Sequence, residues 1–307
     1  MKVAKLPAST EAQEHQLEDE HQFLHPPISP WADVRRQLFR DRLAVLGIII
    51  LALLILTAVF APLIAPFDPY EMNLGENLKP PGIDGHLLGT DELGRDIFSR
   101  LIYGSRISLT VGLIVVGIAG TIGVTLGAIS GYYGGMVDNA IMRIVDIVLA
   151  FPFLVLAIAV VSIVGASLTN MMIVLGCVSW IGYTRLVRGQ VLALREQQFV
   201  TAARAIGAGD LDIIFNHIMP NTLGVVIVQA TFGVAIAIIA ASALSFLGMG
   251  AQPPTAEWGA MLSVAKKHMR HHPTMAIAPG MAIMITVLAI NLVGDALRDA
   301  LDPRLRK

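Results

Sequence analysis

Six stretches of this chain are long and apolar enough to cross a bilayer, and this restricts its fold more than any other feature. A hydrocarbon core of about 30 Å calls for about 20 apolar residues in a helix. No water is available there, so only helices and closed barrels satisfy their backbone N–H and C=O groups. Residues 43–65 and 107–130 are uncharged throughout, and the first run ends among the breakers Pro62 and Pro66. Residues 144–164 carry Asp146 and a Pro152 expected to kink the helix. Residues 166–184 are shorter, 222–248 are long enough to tilt, and 275–294 complete the set.

Composition agrees with an all-α integral membrane protein. The chain is 55% hydrophobic and 15% charged, with a mean hydropathy of +0.68. Soluble domains average about 45–50% and 25%. The 22 Lys and Arg nearly cancel the 23 Asp and Glu, leaving no broad basic surface for nucleic acid. The single cysteine, Cys177, excludes an intrachain disulfide or a cysteine-only zinc cage, and reads as a small packing residue.

Lys and Arg near the spans set the expected orientation. Arg35, Arg36, Arg40 and Arg42 precede the first span, Arg185, Arg188, Arg195 and Arg204 lie between the fourth and fifth, and Arg298, Arg304, Arg306 and Lys307 follow the sixth. These stretches belong to the cytoplasmic side, which places both termini there. Residues 1–34 read as a polar cytoplasmic tail without the apolar core of a cleavable signal, so the first span, within 35–66, is expected to serve as its own insertion signal. Residues 67–106 form a long extracytoplasmic loop, and 107–307 hold five further spans.

Two polar segments carry most of the information. In the long loop, Asp91, Glu92, Arg95 and Asp96 suit either mutual pairing and capping of the following helix or docking of an extracytoplasmic partner. The segment 195–221 reads as helix, break and helix: Gln198 to Ile206 favours a helix, Gly207 suits a left-handed stop, Asp210 an N-cap and Pro220 a stop or bend. Ala202 and Ala203 leave one face without bulk, fit either for a groove on another protein or for a membrane interface.

This segment resembles the EAA loop of ATP-binding-cassette importer permeases, whose pattern is Glu-Ala-Ala, three residues, Gly, about ten residues, a hydrophobic residue and Pro. Here it reads Thr201-Ala202-Ala203, Arg204, Ala205, Ile206, Gly207, Ala208 and, further on, Ile218-Met219-Pro220. Thr201 replaces the usual Glu, which removes one potential salt bridge to an ATPase.

Five more strings resemble the dipeptide, oligopeptide and nickel branch of that family, and its second, C-type permease. They are Leu88-Gly-Thr-Asp-Glu-Leu-Gly-Arg-Asp-Ile-Phe-Ser-Arg100, Gly131-Tyr-Tyr-Gly-Gly135, Leu244-Ser-Phe-Leu-Gly-Met-Gly-Ala-Gln-Pro-Pro254, Glu257-Trp-Gly-Ala-Met-Leu262 and Gly294-Asp-Ala-Leu-Arg-Asp-Ala-Leu-Asp-Pro303.

The resemblance implies a type I ABC importer transmembrane domain with six transmembrane helices and a cytoplasmic EAA coupling helix. It implies a bacterial inner-membrane permease for short peptides, working with a homologous second permease, two ATP-binding subunits and an extracytoplasmic substrate-binding protein. No Gly-x-x-x-x-Gly-Lys-[Ser/Thr] loop is present, so ATP and Mg are expected in partner subunits and no catalytic residue or cofactor in this chain. Coupling falls on Thr201, Ala202, Ala203, Arg204, Gly207, Ala208, Asp210 and Pro220.

Other residues invite narrower readings. Ala119, Gly123, Gly127 and Gly131 form a small face for close packing, inside this subunit or against its partner. Arg143 and Asp146 are spaced to pair, while Gln229 and Asn291 are candidates for the translocation pathway. His268, His271 and His272 suit either a nickel or metal-chelate path or an ordinary basic interfacial loop.

Overall fold

The computed structural model describes residues 35–301, so the expectations for the N-terminal tail and the last six residues lie outside it. Among the described residues the chain is helical with no strand beyond two isolated bridges. Helix α1 (Arg42–Val59) starts on the Asp41 carboxylate, which accepts from Leu43 N at 2.8 Å, and a short α2 (Ala61–Ile64) follows with Pro62 in its first turn. Then come α3 (Ile97–Tyr133), α4 (Gly135–Leu149), α5 (Phe153–Val164), α6 (Leu168–Leu194), α7 (Gln198–Ala205), α8 (Asp210–Phe246), α9 (Trp258–Ala265) and α10 (Thr274–Leu301).

Five of these, α1, α3, α6, α8 and α10, are long and apolar enough to span a membrane on their own. The sixth expected span is broken. Pro152 does more than kink it: α4 and α5 meet at 88°, because Pro152 has no N–H to continue the ladder and starts α5 afresh. Helix α3 starts ten residues before its expected span, and α6 and α8 also extend well beyond theirs, since polar turns at the membrane edge continue the same helices.

The small face of α3 explains the most extensive seam in the molecule, between α3 and α6. A methyl added at Gly127 would lie 2.7 Å from Thr184 O and 2.8 Å from Val187 Cβ, and one at Gly131 would lie 2.8 Å from Val191 Cβ. The stripe therefore packs inside this subunit. Helix α10 lies against α1 and α8, and a core of Val111, Val115, Val161, Leu175, Ala241 and Leu244 joins α3, α5, α6 and α8.

Residues 66–106 fold as a compact cap over one end of the bundle, and the pairing expected within it is present. Asp96 caps α3 by accepting from Ser99 N at 2.7 Å, and Arg95 Nε donates to Asp91 at 2.7 Å. His86 is buried between Asp96 (2.9 Å) and Glu76 (3.3 Å) and stacks on Phe67. Arg100 locks the cap to the segment before α9, donating to the carbonyls of Pro69, Pro254 and Thr255. Two other expectations fail. Arg143 and Asp146 stand exposed on α4 without pairing, and Cys177 is exposed on α6 rather than packed.

Candidate coupling surface and transmembrane cavity

At the end of the bundle away from the cap, α7 projects between α6 and α8. Its two inward residues, Val200 and Ala203, are buried with Ile213, Ile214 and Ile218 of α8, Val187 and Val191 of α6, and Ala128 and Tyr132 of α3. The alanine pair is thus divided. Ala203 packs, and Ala202 is exposed beside Thr201 and Arg204. Thr201 makes only a long 3.4 Å bond back to Gln197 O.

Gly207 ends α7 as its composition predicts. Its φ is +88°, and the N–H groups of Gly207 and Ala208 return to Arg204 O and Ala203 O, which satisfies carbonyls the helix would leave open. Asp210 does not cap the next helix. Gly209 occupies that position, and the Asp210 carboxylate accepts from Tyr132 Oη at 2.8 Å instead. Pro220 neither stops nor ends α8. The turn before it, Ile213–Ile218, widens to a π-helix in which Met219 N bonds Ile214 O, and the helix runs on to Phe246.

Polar links tie the root of α7 to three other helices. Asp138 of α4 receives Arg188 Nε at 2.5 Å and Nη2 at 2.6 Å, together with Ser130 Oγ of α3. Arg195 donates to Gly131 O and Tyr132 O. The links from Tyr132 to Asp210, Arg188 to Asp138 and Arg195 to Gly131 join residues 50 or more positions apart, and no local pattern in the sequence points to them. The outward face presents Phe199, Ile206, Leu211 and Phe215, with Ile206 87% exposed. A rigid root under an exposed apolar tip suits an element that transmits force to another protein.

Gln229 lines a cavity of about 310 Å³ among α3, the α4–α5 break, α6 and α8, with Ser179, Tyr183, Arg185, Phe151 and Phe153. Asn291 is on α10, away from this lining. The three histidines after α9 do not converge. His268 Nε2 lies 3.0 Å from Glu92 of the cap, and among the described residues no three His, Cys, Asp or Glu side chains are grouped to hold a metal ion.

With this geometry in hand, residues 123–307 match the family model for the inner membrane component of binding-protein-dependent transport systems. The chain belongs to that family, as a multi-pass permease. Residues 29–81 match the N-terminal transmembrane domain of oligopeptide transport permease C, which makes it a permease of the C-type. It is 48% identical to the dipeptide transport system permease protein DppC of Alkalihalophilus pseudofirmus, across 91% of each chain. It is 44% and 45% identical to the glutathione transport system permease proteins GsiD of Pectobacterium atrosepticum and Escherichia coli, over 91% of this chain and 92% of theirs. Among solved structures, a chain of the MetNI methionine ABC transporter in inward-facing conformations superposes with a TM-score of 0.54 at 20% identity, covering 66% of this chain and 96% of that one. That likeness shows the fold, a type I ABC importer permease domain.

Proposed function

We propose that this chain is one of two permease halves of an ATP-driven importer of short peptides, dipeptides or glutathione-like molecules. The observation that carries the reading is the match over nine-tenths of both chains to permeases named for dipeptide and glutathione transport. A homologous permease completes the pathway, two cytoplasmic subunits bind ATP and Mg, and an extracytoplasmic binding protein delivers cargo. Both termini and α7 face the cytoplasm, as the arginine distribution supports.

In this reading α7 is the coupling element. Thr201, Ala202 and Arg204 meet an ATPase groove, Ala203 anchors the helix, and Gly207 with Ala208 turns the chain back. Asp210, through Tyr132, and Pro220, behind its widened turn, join the motion to α3 and α8. Nickel or metal-chelate import lacks comparable support, because the relatives named above carry peptide-like cargo and His268 is engaged by Glu92.

The test is purification of the tagged chain from solubilised native membranes, with co-purifying chains identified by mass spectrometry. ATPase activity is then measured with dipeptides, glutathione and nickel. Recovery of a second permease and nucleotide-binding chains, stimulated by a peptide-loaded binding protein, is the expected result. Recovery of the chain alone, without ATPase activity, would overturn the proposal.

A further inference from the structure

The distal half of helix α6 carries Arg185 and Arg188, with Arg195 just past its end, and two of the three are spoken for. Arg188 is held by Asp138, and Arg195 by Glu196 and the α3 carbonyls. Arg185, one turn before Arg188, forms no salt bridge among the described residues and lines the central cavity. A guanidinium carries a fixed positive charge, and that of Arg185, exposed on the cytoplasmic side of the cavity lining, is open to water or an anion.

The rest of the lining supplies no anion. Its other polar side chains are Ser179, Tyr183 and Gln229, all neutral; Ser179 Oγ is already bonded to Leu175 O, and Tyr183 Oη lies 3.5 Å from Gln229 O. Of the two acidic residues on α4, Asp138 is held by Arg188 and Asp146 is exposed and outside the lining. Phe151 and Phe153, brought in by the break at Pro152, add apolar surface. The cavity thus offers one fixed cation, one free amide and an aromatic wall. This combination fits the carboxylate end of a small molecule, with neutral and apolar surface beside it for the next part of the chain.

We propose that Arg185 is a cargo-binding residue of the translocation pathway, pairing with the free carboxylate of the peptide as it passes, with Gln229 beside it. The inference rests on the peptide-import reading above and names the group that the pathway recognises. Lysine at this position preserves the charge, and glutamine removes it while keeping a polar chain of similar reach.

The test uses the full complex in liposomes, loaded with ATP, measuring uptake of radiolabelled dialanine and of glutathione. Arg185→Gln is expected to lower uptake about tenfold, the scale of a lost charge-assisted bond. ATPase stimulation by the loaded binding protein and recovery of partner chains should stay near the unmodified level, and Arg185→Lys should keep most uptake. A charge rescue separates cargo contact from shape. In a Cys177→Ser background, Arg185→Cys treated with a cationic methanethiosulfonate should regain uptake, and treatment with an anionic one should not. Unchanged uptake in Arg185→Gln, or equal rescue by both reagents, would overturn the inference while leaving peptide import standing. Joint loss of partner recovery and ATPase activity in Arg185→Gln would also overturn it, by making Arg185 a subunit contact. Failure of the unmodified complex to import either probe would remove the import reading and this inference with it.

Discussion

At the scale of single residues, Gly127 has little freedom to change. The Thr184 carbonyl and the Val187 side chain stand where its side chain would begin, so α3 and α6 must separate to admit anything larger. Gly127→Leu should destabilise the protein by about 1–3 kcal/mol, the range for overpacking, read as a lower thermal midpoint of the detergent-solubilised chain. A side chain added at Gly117 on the same helix would meet no other packed element within 4 Å among the described residues, and Gly117→Leu should leave that midpoint nearly unchanged. Charge decides a second case, in the cap. Bonds from Lys79 and then His86 hold the Glu76 carboxyl below its usual value, and Lys79 does the same for Asp84. Groups with lowered folded values stabilise above the ordinary carboxylate range of about 4, and that contribution is lost as pH falls through the lowered values. Trp258 packs near Leu78 and Leu88 of the cap. Its fluorescence, with Trp31 and Trp180 replaced by Phe, should therefore shift on acidification below about pH 4, and Lys79→Met should move the onset to higher pH.

At the scale of elements, α7 shows what could be read from sequence and what could not. The left-handed stop at Gly207 was legible because a glycine after a strong helix former has a local cause, and the observed φ of +88° matches it. A Cβ there meets nothing within 4 Å, so the cost of substitution is backbone strain alone. Gly207→Val should cost about 1–2 kcal/mol of local stability and uncouple ATP hydrolysis from uptake, while Gly207→Asn, which tolerates that conformation, should retain more coupling. The inward turn of Ala203 and the outward turn of Ala202 were not legible, since the two are adjacent small residues and only the packing of Val200 against Ile213 tells them apart. Ala203→Leu should accordingly lower stability, and Ala202→Trp should spare the fold but prevent ATPase recovery in a pull-down. The π turn before Pro220 and the Tyr132 bond to Asp210 also escaped the sequence, because each depends on a neighbour supplied by another part of the chain. The spans themselves were readable from apolar length, and their true ends were not, since helices continue past the membrane edge wherever the next turn finds partners.

At the scale of the whole molecule, the two ends are fastened differently. The cap is joined to the α8–α10 side by Arg100 reaching the Pro254 and Thr255 carbonyls and by Glu92 meeting His268. The opposite end is joined through Arg188, Arg195 and Tyr132 around α7. Arg100→Met should lower the thermal midpoint, since it leaves the buried Pro69 carbonyl without its charged donor, at about 1–3 kcal/mol for an unsatisfied group, and frees the part-buried carbonyls of Pro254 and Thr255. Asp138→Asn should loosen the α7 end and leave the cap intact, seen as faster hydrogen exchange confined to 195–215. Between these fastenings lies the 88° break of α4 and α5. At 1.5 Å per residue, the 15 residues of α4 and the 12 of α5 give rods of about 22 and 18 Å, each shorter than the hydrocarbon layer. During biosynthesis neither rod presents the insertion machinery with a stop of full length. Only the two rods together approach the length of a span, so this pair is expected to depend on its neighbours for its place in the bilayer.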